Sequence, residues 1–365
     1  MSSQPSDPPV SEMFGVYIHW PYCLSKCPYC DFASTAGARV DEGILAKRYV
    51  QELAELPRRR ITSVFFGGGT PSLMSAGLVG ALLERLAPDC APDVEITMEA
   101  NPDAIGLPKM RALRDAGVNR LSLGVQALDD AALKRLGRRH SAATAMRQAE
   151  NALRTFGRVN LDLIYARPGQ TPAEWEAELK RALALEAPHY ALYQLTIEEG
   201  TPFGRRGVRP APDEVARDLY LMTDEIMAGA GLPAYEVSNY AAPGGACRHN
   251  MTYWLGADYA GVGPAACGRL GLLATQNPAG VSDWLAGVSE KTPLMPAERD
   301  MEKILMGLRL RRAGYPAAGL NPAGVDRAVR NRWLTLHRHR AYPTAEGILM
   351  LNRLILEVLP DSPAR

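Results

Sequence analysis

Three of the six cysteines of this 365-residue chain fall within eight positions. They are Cys23, Cys27 and Cys30, in the run His19-Trp20-Pro21-Tyr22-Cys23-Leu24-Ser25-Lys26-Cys27-Pro28-Tyr29-Cys30-Asp31-Phe32. The spacing is C-x3-C-x2-C. Thiolates hold iron–sulfur clusters and zinc. A full protein cage for a [4Fe–4S] cluster takes four thiolates, so three on one tight loop leave one iron open to a small ligand. A zinc site would want a second C-x2-C or a His pair at matching spacing. Here Cys90, Cys247 and Cys267 are scattered. A disulfide within so tight a loop is geometrically poor.

Other residues of chemical type lie at the ends of β-rich runs. Gly67-Gly68-Gly69-Thr70-Pro71 follows Ile61–Phe66, and glycine lets a backbone approach a ligand closely. No Lys-Ser/Thr follows, so this is not a phosphate loop. Glu99 ends Val94–Glu99, Gln126 follows Arg120–Val125, and Arg138 lies one helix further on. Asp162 interrupts the apolar run Leu161-Asp162-Leu163-Ile164, where a carboxylate is costly to bury without a partner. Tyr17 and Tyr29 bracket the cysteines and, on their types alone, read equally as core aromatics.

The elements that must position these residues alternate. Strands are expected at Phe14–His19, Ile61–Phe66, Val94–Glu99, Arg120–Val125, Val159–Ile164 and Tyr190–Leu195. Helical spacing of apolar residues falls between them at 42–56, 75–87, 107–116, 129–136, 141–156 and around Trp175, Leu179 and Leu183. Six strands alternating with helices predict a parallel sheet. They occupy only residues 14–195, short of the ~250 residues of a closed eight-unit barrel. The fold class expected is therefore α/β, a partial six-unit (β/α) barrel. Chemistry in such folds sits on the loops after the strand C-termini, where the cysteine loop, the glycine run and Glu99 all lie. Residues 1–13 read as a flexible tail, 14–209 as the barrel, and 210–365 as a smaller, mainly helical C-terminal region. That region closes on a helix carrying Ile348, Leu351, Ile355 and Val358.

Bulk composition narrows the classes. Hydrophobic residues make up 47% and charged residues 22%, as in an ordinary globular protein. A net charge of +1 gives no electrostatic argument for nucleic acid or a membrane surface. No apolar run reaches transmembrane length, and the first thirteen residues carry no export signal. A cytoplasmic location is the expectation, where clustered cysteines favour metal over disulfide.

Together, YIHWPYCLSKCPYCDF, FFGGGTPS, MEANPD, LSLGVQ, NLDLIYARPGQTP and RHNMTYW resemble the radical S-adenosylmethionine (SAM) superfamily. Within it they resemble the branch of the oxygen-independent coproporphyrinogen III oxidases and the HemW haem chaperones, over most of residues 14–355. The resemblance implies a [4Fe–4S] cluster on Cys23, Cys27 and Cys30, with SAM on the open iron. It implies SAM contacts from Tyr17, Tyr29, Gly68, Gly69, Thr70, Glu99, Gln126, Arg138 and Asp162. In that reading the glycine run meets the SAM amine through its backbone, Glu99 accepts from hydroxyls or amine, and Arg138 clamps the carboxylate.

Two departures bear on the choice within the branch. The oxidases carry a fourth cysteine where Phe32 stands here, and a longer segment ahead of the first strand. Both point toward the chaperones, as does His249-Asn250-Met251-Thr252-Tyr253-Trp254, similar to their haem-associated motif. The resemblance thus implies haem bound near Cys247, His249, Asn250, Tyr253 and Trp254 and passed to an acceptor protein, respiratory-chain or otherwise membrane-associated, with a homodimer as one assembly open to it. Read by itself, His249 fits a buried histidine in an aromatic cluster better than a ligand; with the resemblance the two readings stand level, and either His249 or Cys247 could ligate haem iron. Cys267 stands where the family often has histidine, which leaves the axial ligand open. Arg309, Arg311 and Arg312 read as surface charge or as partners for a propionate. His337-Arg338-His339-Arg340 reads as a solvated basic strand or loop. The alternative function is a radical-SAM coproporphyrinogen III oxidase, so enzyme and chaperone both stand open.

Overall fold

The computed structural model describes residues 9–38 and 40–360. Of the segment read as a tail, residues 1–8 lie outside the described residues. Val10–Glu12 form one 3-10 turn, and Met13 is buried.

The sequence runs β1 (Phe14–Trp20), α1 (Glu42–Ala54), β2 (Ile61–Gly68), α2 (Ala76–Leu86), β3 (Cys90–Ala100), α3 (Leu107–Asp115), β4 (Arg120–Gln126), α4 (Asp130–Arg135), α5 (Ala142–Thr155), β5 (Arg158–Tyr165), α6 (Pro172–Leu183) and β6 (His189–Gln194). These six strands are adjacent, in chain order and parallel. Local chemistry starts the helices. Asp41, Ser75 and Ser141 cap α1, α2 and α5, and Thr171 with Glu174 forms a capping box ahead of Pro172 in α6.

The helical C-terminal region comprises α7 (Asp213–Gly229), then β7 (Asn239–Ala241), α8 (Arg248–Trp254), β8 (Asp258–Val262), β9 (Cys267–Leu270), β10 (Leu273–Gln276), β11 (Glu290–Pro293) and α9 (Pro296–Gly307). It hands strands back to the sheet, whose order is β11-β10-β9-β8-β1-β2-β3-β4-β5-β6-β7. β8 adds a parallel strand beside β1, and β7 closes the other edge antiparallel to β6. Neither strand is visible in the sequence of this mainly helical region, because each is too short to show a period of its own.

Beyond α9 lie β12 (Tyr315–Pro316), α10 (Pro322–Arg330), β13 (Leu334–His337), β14 (Arg340–Pro343) and α11 (Leu351–Val358). They form a three-stranded sheet over a second core of Ile304, Leu308, Val325, Leu334, Leu354 and Val358. Arg338 and His339, both at positive φ, make the two-residue turn between β13 and β14.

Alternation along the strands decides what the cavity is made of. Val16, Ile18 and Trp20 of β1, Val64 and Phe66 of β2, Leu121, Leu123 and Val125 of β4, and Val159, Leu161 and Leu163 of β5 are buried in the apolar core under the helices. The intervening residues Tyr17, His19, Phe65, Glu99, Arg120, Ser122, Asn160 and Asp162 line a single cavity. Tyr193 of β6 and Tyr259 of β8 line it too, although they lie on opposite sides of the parallel block. The sheet therefore wraps around the cavity as an open barrel.

Candidate functional site

The cavity has a volume of ≈ 890 Å³, large for a ligand pocket. Cys23, Cys27 and Cys30 lie on its rim as free, half-buried thiols. The loop that carries them is anchored at both ends. His19 shares hydrogen bonds with Tyr17 Oη (3.1 Å) and with the Ala33 carbonyl (2.8 Å). The Tyr49 hydroxyl donates to the His19 carbonyl at 2.6 Å. Lys26 donates to the Phe32 carbonyl at 2.8 Å.

The glycine run acts first as a brace for that loop. Gly69 N–H donates to the Trp20 carbonyl (2.7 Å) and Thr70 N–H to the Tyr22 carbonyl (2.8 Å). A Cβ on Gly69 would lie 2.5 Å from the Tyr22 carbonyl oxygen, and Gly68 sits at φ +107 against the His19 ring. Only glycine fits both positions. The Gly69 and Thr70 N–H groups are thus spent on the cysteine loop.

Arg138 ties the rim together. It donates to Cys27 Sγ (3.3 Å), Asn101 Oδ1 (2.5 Å) and the Gly124 carbonyl (3.0 Å), and Asn101 donates in turn to Thr70 Oγ1 at 3.0 Å. Three of the five guanidinium N–H donors are thus engaged, and two remain for an incoming carboxylate. Gln126 takes φ +67 at the end of β4, where the register with β5 shifts. A non-glycine residue in that region stores strain, and such strain gathers at ligand sites.

Below the rim the carboxylates are partnered. Asp162 accepts from Asn160 Nδ2 (2.6 Å) and Ser122 Oγ (3.2 Å), which is how its apolar strand tolerates it. Burial still raises its pKa to about 6. Burial, and next the charge of Asp162, raise Glu99 to about 8, opposed by a hydrogen bond from the Gly68 backbone. Glu99 thus binds its proton more tightly in the folded state. Its contribution to stability is full below the unfolded value near 4.5 and is lost as pH rises through about 8. The melting temperature of the ligand-free protein is expected to fall between pH 5 and 9 by more than that of Glu99→Gln. Parallel pH profiles for the two proteins would refute this.

All nine positions assigned to SAM line the cavity together with the three cysteines. The haem set divides. His249, Asn250 and Tyr253 line the cavity; Cys247 and Trp254 do not. Cys247 is fully buried, donates to Glu95 Oε1 at 3.4 Å and is pushed up to about 12 by burial, a poor setting for a thiolate ligand. His249 stacks on Phe65 at 5.1 Å. Its ring nitrogens meet Ser63 Oγ (2.9 Å) and Tyr253 Oη (2.7 Å), and burial lowers its pKa to about 3, so the ring is neutral. Cys267 is an exposed thiol on the cavity wall. Arg309, Arg311 and Arg312 are absent from the wall. Arg311 pairs with Asp224, and Arg309 lies over the Trp254 ring.

Asn101, Arg120, Tyr193 and Tyr259 also line the cavity and were not singled out from sequence. For Asn101 a signal existed, the strand-ending Asn-Pro pair. Arg120 begins its strand, Tyr193 is embedded in an aromatic run, and Tyr259 falls in a strand too short to show a period.

The donor set fits the groups expected. Three thiols on one loop share the cavity with backbone carbonyls, a carboxylate and a partly unspent guanidinium. Among the described residues no three His, Cys, Asp or Glu side chains form a site for a single metal ion.

Comparison with known proteins gives the following. The family model for the radical SAM superfamily matches residues 17–182. The chain is 35% identical to "Heme chaperone HemW" of Mycobacterium tuberculosis, covering 96% of both chains. It is 42% identical to mouse "Radical S-adenosyl methionine domain-containing protein 1, mitochondrial" over 74% of this chain, but spans only 63% of that protein's length. The Escherichia coli structure described as "Coproporphyrinogen III oxidase (HemN)" superposes with a TM-score of 0.80 at 19% identity, over 95% of this chain and 90% of that one. At that identity the likeness is one of fold.

Proposed function

The chain belongs to the radical SAM superfamily and, within it, to the HemW family, and from this premise we propose that it is a haem chaperone. In this reading Cys23, Cys27 and Cys30 hold a [4Fe–4S] cluster, SAM lies beside it, and haem occupies the same cavity before passing to an acceptor protein. One observation carries the reading: the three thiols and the His249, Asn250 and Tyr253 side chains face one continuous space.

A cluster with SAM on its open iron supplies one-electron chemistry when bound. The chain's own residues do the positioning. The backbone of Gly68 and Gly69, on the cavity wall, would meet the SAM ammonium group, and Glu99 would accept from an amine or hydroxyl. Arg138 holds Cys27 with one edge and offers its remaining N–H groups to a carboxylate. For His249 Nε2 to meet haem iron, the Tyr253 hydroxyl must first turn away from it. Cys267 presents its thiol to the cavity without any such rearrangement. The C-terminal region, which supplies α8 and the strands beside β1, is the natural seat of haem.

The oxidase reading rests on the shared fold, and Phe32 in the place of a fourth cysteine weighs against it. No helix among the described residues is long and apolar enough to cross a membrane; cytoplasmic placement and an acceptor protein of the respiratory chain or another membrane-associated complex belong to the proposal. The test pairs haem titration with an anaerobic coproporphyrinogen turnover assay on the reconstituted protein. A Soret shift saturating near one haem per chain with no product supports the chaperone. Protoporphyrinogen formation would overturn it. His249→Ala and Cys267→Ala spectra then identify the axial ligand, with Cys247→Ala expected to leave the Soret band in place.

A further inference from the structure

At the N-terminal end of β4, roughly 20 Å of strand below Gln126, Arg120 sits in the cavity wall. It is 3% exposed, and its neighbours Ser122 and Gly124 on the same strand face also line the cavity. Among the described residues, no hydrogen bond or ion pair engages its guanidinium. The charges of Glu95 and Asp162 act on it from nearby and favour its protonated form, but neither carboxylate accepts a hydrogen bond from it. Glu95 pairs with Arg158 at 3.1 Å and accepts from His249 N–H and Cys247 Sγ. Asp162 is held by Asn160 and Ser122. A buried charge without a hydrogen-bonded partner is costly, and here five N–H donors remain for a ligand.

The surroundings describe that ligand. The same cavity wall carries Tyr17, Phe65, Tyr193, Tyr253 and Tyr259, faces suited to a large flat apolar body. The SAM positions at the rim already offer Arg138 to the SAM carboxylate. We propose that Arg120 is the carboxylate receptor at the floor of the cavity, taking a propionate of the bound tetrapyrrole while the aromatic belt packs on the macrocycle. This rests on the haem-chaperone reading and goes beyond it in naming the anchoring residue and the ligand group that meets it.

The test titrates the cluster-loaded protein with haem and with haem dimethyl ester, whose propionates are esterified. The parent protein is expected to bind haem about 10- to 100-fold more tightly than the diester, the range of one buried charge-assisted contact. Arg120→Gln should weaken haem by that factor and leave the diester nearly unchanged. Arg120→Lys should restore part of the preference. SAM affinity should be the same in all three proteins. Equal affinity of the parent for haem and diester overturns the proposal even if Arg120→Gln fails to fold. So does an Arg120→Gln protein that keeps the full preference or loses SAM affinity instead. Binding of neither haem nor diester by the parent is a different failure: it removes the haem-chaperone reading itself.

Discussion

Anaerobic reconstitution of Cys23→Ala, Cys27→Ala or Cys30→Ala is expected to leave almost no bound iron, against about four irons per chain in the parent. The site offers three thiols on one loop, and no other cysteine compensates for a lost one. Cys247 and Cys90 are not on the cavity wall, and Cys267 rises from β9 rather than from the cysteine loop. Cys27→Ala adds a second loss, because Arg138 gives up a partner at 3.3 Å. The loop lies outside the apolar core, so circular dichroism should show each variant folded. Iron analysis and the visible absorbance of the cluster provide the measurement. Retention of a full cluster in all three variants would remove the assignment.

Gly69→Ala is expected to have an effect nearly as large, although Gly69 supplies no thiol. The added methyl group would lie 2.5 Å from the Tyr22 carbonyl oxygen and 3.0 Å from that of Trp20. Both are backbone atoms, so no side-chain rotation relieves the contact. Relief requires the cysteine loop to move away from the glycine run, breaking the Gly69–Trp20 and Thr70–Tyr22 hydrogen bonds. Tyr22 is the residue before Cys23, so the displacement passes directly to a cluster ligand. A destabilisation of about 1–3 kcal/mol and a loss of most of the bound iron should follow. Gly77→Ala is the control. In α2 its Cβ would meet only Ser75 Oγ, at 3.9 Å, and alanine is the better helix former by ~1 kcal/mol. A Gly69→Ala protein that loads iron like Gly77→Ala would refute the bracing role.

Much of this site was legible in the sequence. Parallel strands end on one edge of the sheet, so residues at the C-terminal ends of β1, β2, β3 and β4 must meet. The cysteine loop, Gly68, Glu99 and Gln126 did so without any knowledge of packing. Period-two alternation explains Asp162 equally well, since its odd-numbered neighbours are buried outward and it faces the cavity. The motif around His249 was only half legible. At 100° per residue, α8 gathers His249, Tyr253 and Asn250 into one arc and carries Trp254 and Cys247 past its edge. The sequence lists these five residues together; the helix separates them.

What the sequence by itself determined is the local and periodic part: a three-thiol loop, six alternating βα units, and the residues at their ends. The tertiary structure decided the rest. It showed that β8 (Asp258–Val262), far along the chain from β1 (Phe14–Trp20), pairs beside it and carries Tyr259 to the cavity wall. It showed the Gly69 and Thr70 N–H groups spent on the cysteine loop, and Arg138 divided between Cys27 and an open edge. It also showed Arg120 buried with its donors unspent. Hydrogen-bond partners far apart in the chain are set by how the sheet curves and closes, and no local period encodes which donors will be left free.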